Sequence, residues 1–316
     1  MLENFILSIH IIAPLVLLVF FGIWLKRINF LDRVFLAGAN RLVFYAAIPS
    51  LLFINIYQSE ITAVFDLVFT LFIVIVTMAY FFVCWIFSYF WLRKKAPHVI
   101  GAFVQGCFRG NITILALPIL LNLLGDDAAK GALGIAVLIP MYNIVAVILL
   151  TIHSEDSRSI SPKAMVIGMI KNPPIIGTLL GVLVSLLGWT MPVFARTTIT
   201  MVSQMTTPVA LICLGAGMTF EGFTDRFNYA LLSSLSKVLI MPGVIGIVAY
   251  MWGFRGADMV IFVIMSGVPT SITSYVMAVE LGADEYVTST NIVLTTLMSG
   301  ITMTFWIFLL MTLGFL

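Results

Sequence analysis

Residues 98–121 read HVIGAFVQGCFRGNITILALPILL, and residues 257–281 read ADMVIFVIMSGVPTSITSYVMAVEL. Each stretch is apolar towards its ends and interrupted in the middle. The first carries Gly106-Cys107-Phe108-Arg109-Gly110-Asn111 ahead of Pro118, and the second carries Ser266-Gly267-Val268-Pro269-Thr270-Ser271. A helix rising ~1.5 Å per residue brings Arg109 and Pro269 roughly 16–18 Å deep, near the centre of a ~30 Å hydrocarbon core. Unwound backbone is tolerated at that depth only where protein buries it or a cavity borders it. Half-helix N-termini there present free N–H groups and positive dipole ends, which suit an anion. The pattern predicts two broken helices that cross at the midplane.

The rest of the chain supplies the solvent for such helices. Its 316 residues are 61% hydrophobic and 9% charged, with a mean hydropathy of +1.14. A soluble domain is about 25% charged, and one globular core cannot hide so large an apolar excess. A soluble enzyme and a disordered chain are excluded, and a net charge of +2 leaves nothing for nucleic acid. The partner of most of this surface is the lipid bilayer. Cys84, Cys107 and Cys213 all lie in apolar runs and suit packing rather than a disulfide or metal framework.

With a window of about 20 apolar residues, ten segments are expected: near 5–25, 34–54, 64–92, 98–121, 127–151, 166–188, 193–218, 227–253, 257–281 and 286–315. Near-continuous apolar runs argue for helices rather than an alternating β-barrel. The longest polar connection, His153 to Lys163, leaves no room for an extramembrane domain. Glu3 ahead of the first run and Lys26-Arg27 after it argue against a cleavable signal peptide. With the N-terminus outside, Lys26, Arg27, Arg33, Arg93, Lys94, Lys95, Arg158, Lys163, Lys171 and Arg226 lie in the cytoplasm, against only Lys130, Arg196 and Arg255 across the membrane. The expectation is an all-α polytopic protein with both termini outside.

Landmarks recur. Pro49 and Pro208 stand 159 residues apart, as do Gly110 and Pro269, and Asp126-Asp127 returns as Asp284-Glu285 behind a second Leu-Gly pair. This predicts a 5+5 repeat, residues 1–155 and 156–316. Five spans is an odd number, so the second half is inverted, as in secondary transporters.

Nine of the twelve prolines fall inside apolar segments. Pro14, Pro49, Pro140 and Pro242 read as simple kinks. Two cations lie deep, Arg109 and Lys237. Such a charge costs at least ~2.5–3.5 kcal/mol on insertion scales, so it faces protein or water. Arg109 meets substrate, acts as a movable counter-charge, caps broken-helix carbonyls or pairs with another group. Lys237 either caps carbonyls, acts as a counter-charge, or stands in for a coupling ion. Aspartates and glutamates keep to segment ends, which favours an anionic cargo. Neutral oxygens of Asn111, Asn143, Thr270 and Ser271 leave sodium or proton coupling open. His10, His98 and His153 have no acid or Cys at metal-like spacing. No zinc-protease, hydrolase or nucleotide-binding motif is present, so no cofactor, no metal and no catalytic residue is expected.

These motifs, in this order, resemble the auxin efflux carrier family, which spans plant PIN carriers and bacterial malate or malonate permease-like proteins. The resemblance is carried by Asn40-Arg41-Leu42-Val43-Phe44-Tyr45 through Ile48-Pro49-Ser50-Leu51-Leu52-Phe53, then Arg109-Gly110-Asn111 with Pro118. Asn172-Pro173-Pro174-Ile175-Ile176-Gly177, Pro208 to Gly217, and Gly267-Val268-Pro269-Thr270-Ser271 continue it. The short central loop matches the compact bacterial type, in a cytoplasmic membrane. The resemblance implies a fold similar to the bile-acid sodium symporters, with crossed, broken helices 4 and 9. It implies a scaffold of spans 1, 2, 6 and 7, a transport domain of spans 3–5 and 8–10, and homodimers. It also implies carboxylate contacts at Asn111 and Asn143, with Gly110 and Pro269 at the crossover. Thr270-Ser271 departs from the Gln-Gly common in the plant carriers. Gln204 and Thr207 beside Pro208 read either as ordinary helix–helix hydrogen bonding or as scaffold-side contacts. The expected function is secondary transport of small organic anions (malate- or malonate-like, or auxin-like acids) by elevator-type alternating access. The alternative is an anion channel of the same architecture.

Overall fold

A computed structural model of the chain describes residues 2–58, 66–92, 96–154, 167, 171–217 and 225–316. The described residues are helical, joined by short turns. In chain order they form α1 (Leu2–Arg27), α2 (Arg33–Gln58) and α3 (Leu67–Leu92). Then come α4 (Pro97–Phe108), α5 (Ile112–Leu124), α6 (Ala129–Ile152) and α7 (Pro173–Leu186). The last are α8 (Val193–Gly217), α9 (Arg226–Trp252), α10 (Gly256–Gly267), α11 (Thr273–Glu280) and α12 (Glu285–Thr312). Among the described residues six helices, α2, α3, α6, α8, α9 and α12, are long and apolar enough to cross a bilayer, and α5, α7 and α10 are shorter apolar helices. The chain is a multi-pass membrane protein. The start of the segment expected near 166–188, the connection from Glu155 to Lys163, and Arg93, Lys94 and Lys95 lie outside the described residues, as does the side chain of His10.

The prolines do more than kink. Three π-helical turns, Val43–Ala47, Ile112–Ala116 and Ser236–Ile240, each end two residues before a proline: Pro49, Pro118 and Pro242. Proline has no N–H, and its ring collides with the carbonyl four residues back. Widening the preceding turn to i→i+5 bonding moves that carbonyl aside. The expectation of simple kinks at Pro49 and Pro242 is therefore corrected to widened turns. Pro14 and Pro140 stand inside continuous helix.

At Pro242 the freed carbonyl is Val238's, and the buried Trp306 indole on α12 donates to it at 2.9 Å. Trp306→Phe keeps a ring but orphans that oxygen. We expect it to lower stability by about 1–3 kcal/mol, seen as a lower unfolding midpoint in detergent. An unchanged midpoint would remove the capping role.

Two sets of helices pack by different means. Between α1 and α8 the backbones touch: a Cβ on Gly22 would run into the carbonyl of Ile212, and one on Gly215 into that of Val19. Between α2 and α7, Gly177 and Gly181 lie against the backbones of Pro49 and Phe53. Lipid offers no hydrophobic drive between helices, so close approach through small residues supplies the dispersion contacts instead.

The other helices pack through large side chains and are tied at their ends. Phe69 and Phe72 on α3 pack on Phe262 of α10 with ring centroids at 4.8 and 4.7 Å. At one membrane face Lys130 bridges Asp66 at 3.2 Å and Asp258 at 3.1 Å. The Asp66 carboxylate, which also accepts from Phe69 N–H at 3.0 Å, is held below its ordinary pKa chiefly by that bond. At the opposite face Asp284 lies 3.6 Å from both His98 Nε2 and Arg226 Nε, while its other oxygen caps α12 at Val287 N–H.

Two histidines thus acquire partners that their sequence neighbourhood does not show. His98 meets Asp284. His153 Nε2 accepts from the Trp85 indole at 2.8 Å, and burial pushes its pKa below the ordinary histidine range. A lone pair that accepts this bond is one that cannot carry a proton, so the pair favours neutral imidazole.

Candidate functional site at the helix crossing

Both interruptions are real breaks, and they meet. Helix α4 ends at Phe108 and α5 begins at Ile112, while α10 ends at Gly267 and α11 begins at Thr273. Arg109 and Val268 are extended, and Gly110 and Thr270 form an antiparallel bridge. Asn111 N–H donates to the Pro269 carbonyl at 2.8 Å, and Ser271 N–H donates to the Arg109 carbonyl at 3.1 Å. Thr270 N–H is taken by Thr295 Oγ1 of α12 at 3.1 Å, and Thr270 Oγ1 donates to the Gly106 carbonyl at 3.3 Å. The two breaks satisfy each other's backbone, as a low-dielectric midplane demands.

Residue identity follows from that contact. A Cβ on Gly110 would stand 3.1 Å from Val268 Cγ2 and 3.3 Å from the Lys237 ammonium. Pro269 has no N–H to leave unpaired and presents only the carbonyl that Asn111 uses.

The crossing sorts the helix ends by polarity. The N-termini of α5 and α11, with Ile112, Thr113, Ile114, Ile272 and Thr273, border one cavity of about 70 Å³. Each N-terminus carries roughly half a positive charge. The C-terminal end of α10 points elsewhere: the fully buried Lys237 ammonium donates to the Ser266 carbonyl. A cation at a helix C-terminus and helix N-termini at a polar cavity are each the favourable arrangement.

Around the 70 Å³ cavity stand Asn55 from α2, Arg109, Gly110, Asn111 and Thr113, Tyr142 and Asn143 from α6, Thr207 from α8, and Ser271 and Thr273. A second cavity of about 120 Å³ lies on the other side of the crossing. Its walls are apolar, from Val19, Phe20, Leu115 and Leu297 among others, with Pro269 and Thr270 at the crossing itself. Asn111 borders both.

Arg109 is 3% exposed and its guanidinium is engaged by protein. It donates to Asn143 Oδ1 at 2.7 Å, Thr273 Oγ1 at 2.8 Å, Met277 Sδ at 2.8 Å and Ser274 Oγ at 3.4 Å. Among the described residues none of these partners is a carboxylate. Asn143 in turn donates to the Ile139 carbonyl at 2.7 Å. Arg109 therefore staples the break to α6 and to the first turn of α11, and Asn143 orients it. Asn111 differs: it is 7% exposed, and among the described residues its side-chain amide has no hydrogen-bond partner.

Arg109, Gly110, Asn111, Asn143, Ser271 and Thr207 thus converge on the polar cavity, and Pro269 and Thr270 on the apolar one. Gln204 is exposed and borders neither, whereas its neighbour Ser203 is buried. Lys237 lies behind the crossing, at the α10 end. Asn55, Thr113, Tyr142 and Thr273 are cavity residues that the sequence reading did not single out. Asn55 carried a signal, as a lone amide inside the apolar run Leu51 to Tyr57.

Comparison with known proteins agrees with this architecture. Residues 7–307 match the model of a family described as membrane transport protein. An uncharacterized transporter of Methanothermobacter thermautotrophicus is 25% identical over 95% of this chain and 97% of its own length. The transporter MJ1031 of Methanocaldococcus jannaschii is 20% identical over 95% of this chain and 98% of its own. The transporter YfdV of Escherichia coli K12 is 21% identical over 84% of this chain and 86% of its own. This is a transporter family, not an enzyme family. A family match that runs almost from end to end, on a chain whose two broken helices pair inside the membrane, places the protein among the membrane transport proteins of the auxin efflux carrier family.

Proposed function

We propose that the protein is a secondary transporter of small organic anions, built as ten spans in a 5+5 inverted repeat with both termini outside the cytoplasmic membrane. The observation that carries the anion reading is Asn111: among the described residues its amide has no protein partner and the buried guanidinium beside it has no carboxylate, and it stands where two helix N-termini meet. A carboxylate placed there accepts from the amide and faces both dipoles.

Several features support the inverted repeat. Pro49 and Pro208 each follow an irregular turn, at Val43–Ala47 and at Met205. Gly125 and Gly282 each take positive φ, 56° and 69°, after the second half of a broken helix. The crossing itself pairs the two breaks through reciprocal N–H···O bonds.

In the proposed mechanism α1, α2, α7 and α8 form the scaffold, fixed by their glycine contacts. Helices α3 to α6 and α9 to α12 form the moving domain, held at one face by Lys130 and at the other by Asp284. Asn55 and Thr207 reach the polar cavity from the scaffold, and the crossing reaches it from the moving domain. Sliding the domain carries the anion past those two residues, which is elevator-type alternating access. Sodium or proton coupling is decided by experiment.

A thermal-shift panel on purified protein tests the reading. We expect mono- and dicarboxylates, but not their methyl esters, to raise the unfolding midpoint, with sodium and pH varied in parallel. No shift with any carboxylate would remove the anion assignment. Counterflow of pre-loaded label distinguishes a carrier, which exchanges, from an anion channel, which does not.

A further inference from the structure

The strongest feature outside the crossing is an open apolar groove of about 500 Å³ between α9, α10 and α12. Its bed is glycine backbone. A Cβ added at Gly243 would meet only the Trp306 ring, and one at Gly246 only Val263 Cγ2, at 3.1 Å. From Pro242 to Tyr250 the groove follows α9 for about 12 Å at ~1.5 Å per residue. That is close to one leaflet of a ~30 Å core.

Arg255 follows the C-terminal end of α9, next to the groove residue Tyr250. Its guanidinium lies 3.8 Å from the centre of the Tyr250 ring, which itself borders the groove. Only Nη1 is used, donating to the carbonyls of Tyr250 at 2.8 Å and Phe254 at 2.7 Å. Those bonds fix the side chain's orientation and leave Nε and Nη2, one edge of the planar fork, without a protein partner among the described residues. A free fork of that shape matches two oxygens of a phosphodiester.

We propose that this groove is a binding site for one anionic glycerophospholipid, an acyl chain lying over Gly243 and Gly246 and the phosphate on Arg255. A lipid tail gains no hydrophobic free energy by moving from bilayer to protein. Selectivity therefore comes from the guanidinium edge, and shape comes from the glycines. A zwitterionic headgroup carries its own ammonium, which opposes Arg255, so an anionic lipid is preferred.

The test is native mass spectrometry of the full chain in detergent, titrated with phosphatidylglycerol or phosphatidylcholine of identical acyl chains. We expect one phosphatidylglycerol to bind at least fivefold more tightly than phosphatidylcholine. Arg255→Gln, an exposed substitution, should abolish that preference in a protein that still folds, with the unfolding midpoint lowered only by the loss of the two carbonyl bonds. Gly246→Leu should block both lipids by filling the groove. Equal affinity for the two lipids, or undiminished phosphatidylglycerol binding in Arg255→Gln, would overturn the site. A dimer that Gly246→Leu dissolves would assign the groove to a second copy instead, and would also overturn it.

Discussion

Asn111→Ala is expected to abolish measurable carboxylate binding and to leave the protein folded. The side chain makes no hydrogen bond within the described protein, so its removal orphans nothing and the unfolding midpoint should move little. A hydrogen bond to a charged group contributes about 1.5–3 kcal/mol, which is roughly 10- to 150-fold in affinity. That is enough to take a millimolar ligand out of range. The thermal-shift panel reads both quantities in one experiment. If Asn111→Ala binds dicarboxylates or indole-3-acetate as tightly as wild type, the site assignment is wrong. Asn143→Ala supplies the contrast. It deprives the buried Arg109 guanidinium of its 2.7 Å acceptor, so it should lower the midpoint whether or not substrate is present.

Lys237→Met is the second large effect, and its signature is different. The ammonium is fully buried behind the crossing, where it donates to the carbonyl at the end of α10 and lies against Gly110. It therefore touches both broken helices without bordering either cavity of the crossing. We propose that this buried ammonium stands in for a bound coupling ion, so that its charge takes part in the transport cycle. We expect exchange in proteoliposomes to fall at least tenfold, and the residual rate to lose its dependence on pH and membrane potential. Carboxylate affinity should persist, because the amide at Asn111 is intact. Lys237→Arg, which keeps the charge, should retain more exchange than Lys237→Met. Unchanged transport with unchanged pH and voltage dependence would exclude Lys237 from coupling.

Much of the site was legible along the chain because membrane burial leaves few explanations for certain residues. Gly, Pro, Asn and Arg clustered in mid-segment are costly in lipid. Their positions marked both breaks at Arg109–Asn111 and at Val268–Ile272. What the same residues do once buried was less legible. Arg109 satisfies itself on side chains from 34 to 168 positions away, so its chemistry is invisible locally. The π turns ahead of Pro49, Pro118 and Pro242 depend on a backbone response that composition does not encode. Asn55 and Thr207 join the polar cavity only because α2 and α8 are brought to the crossing.

The sequence by itself determined that this chain is a helical protein of the lipid bilayer and where two of its helices break. Each of those follows from transfer free energies and backbone geometry read residue by residue. Only the tertiary structure decided that the breaks hydrogen-bond to each other, that Asn143 holds Arg109, that Lys237 caps Ser266 and that His98 meets Asp284. Those pairings join distant parts of the chain. A buried polar group selects its partner by proximity in the fold, and no spacing along the chain records it.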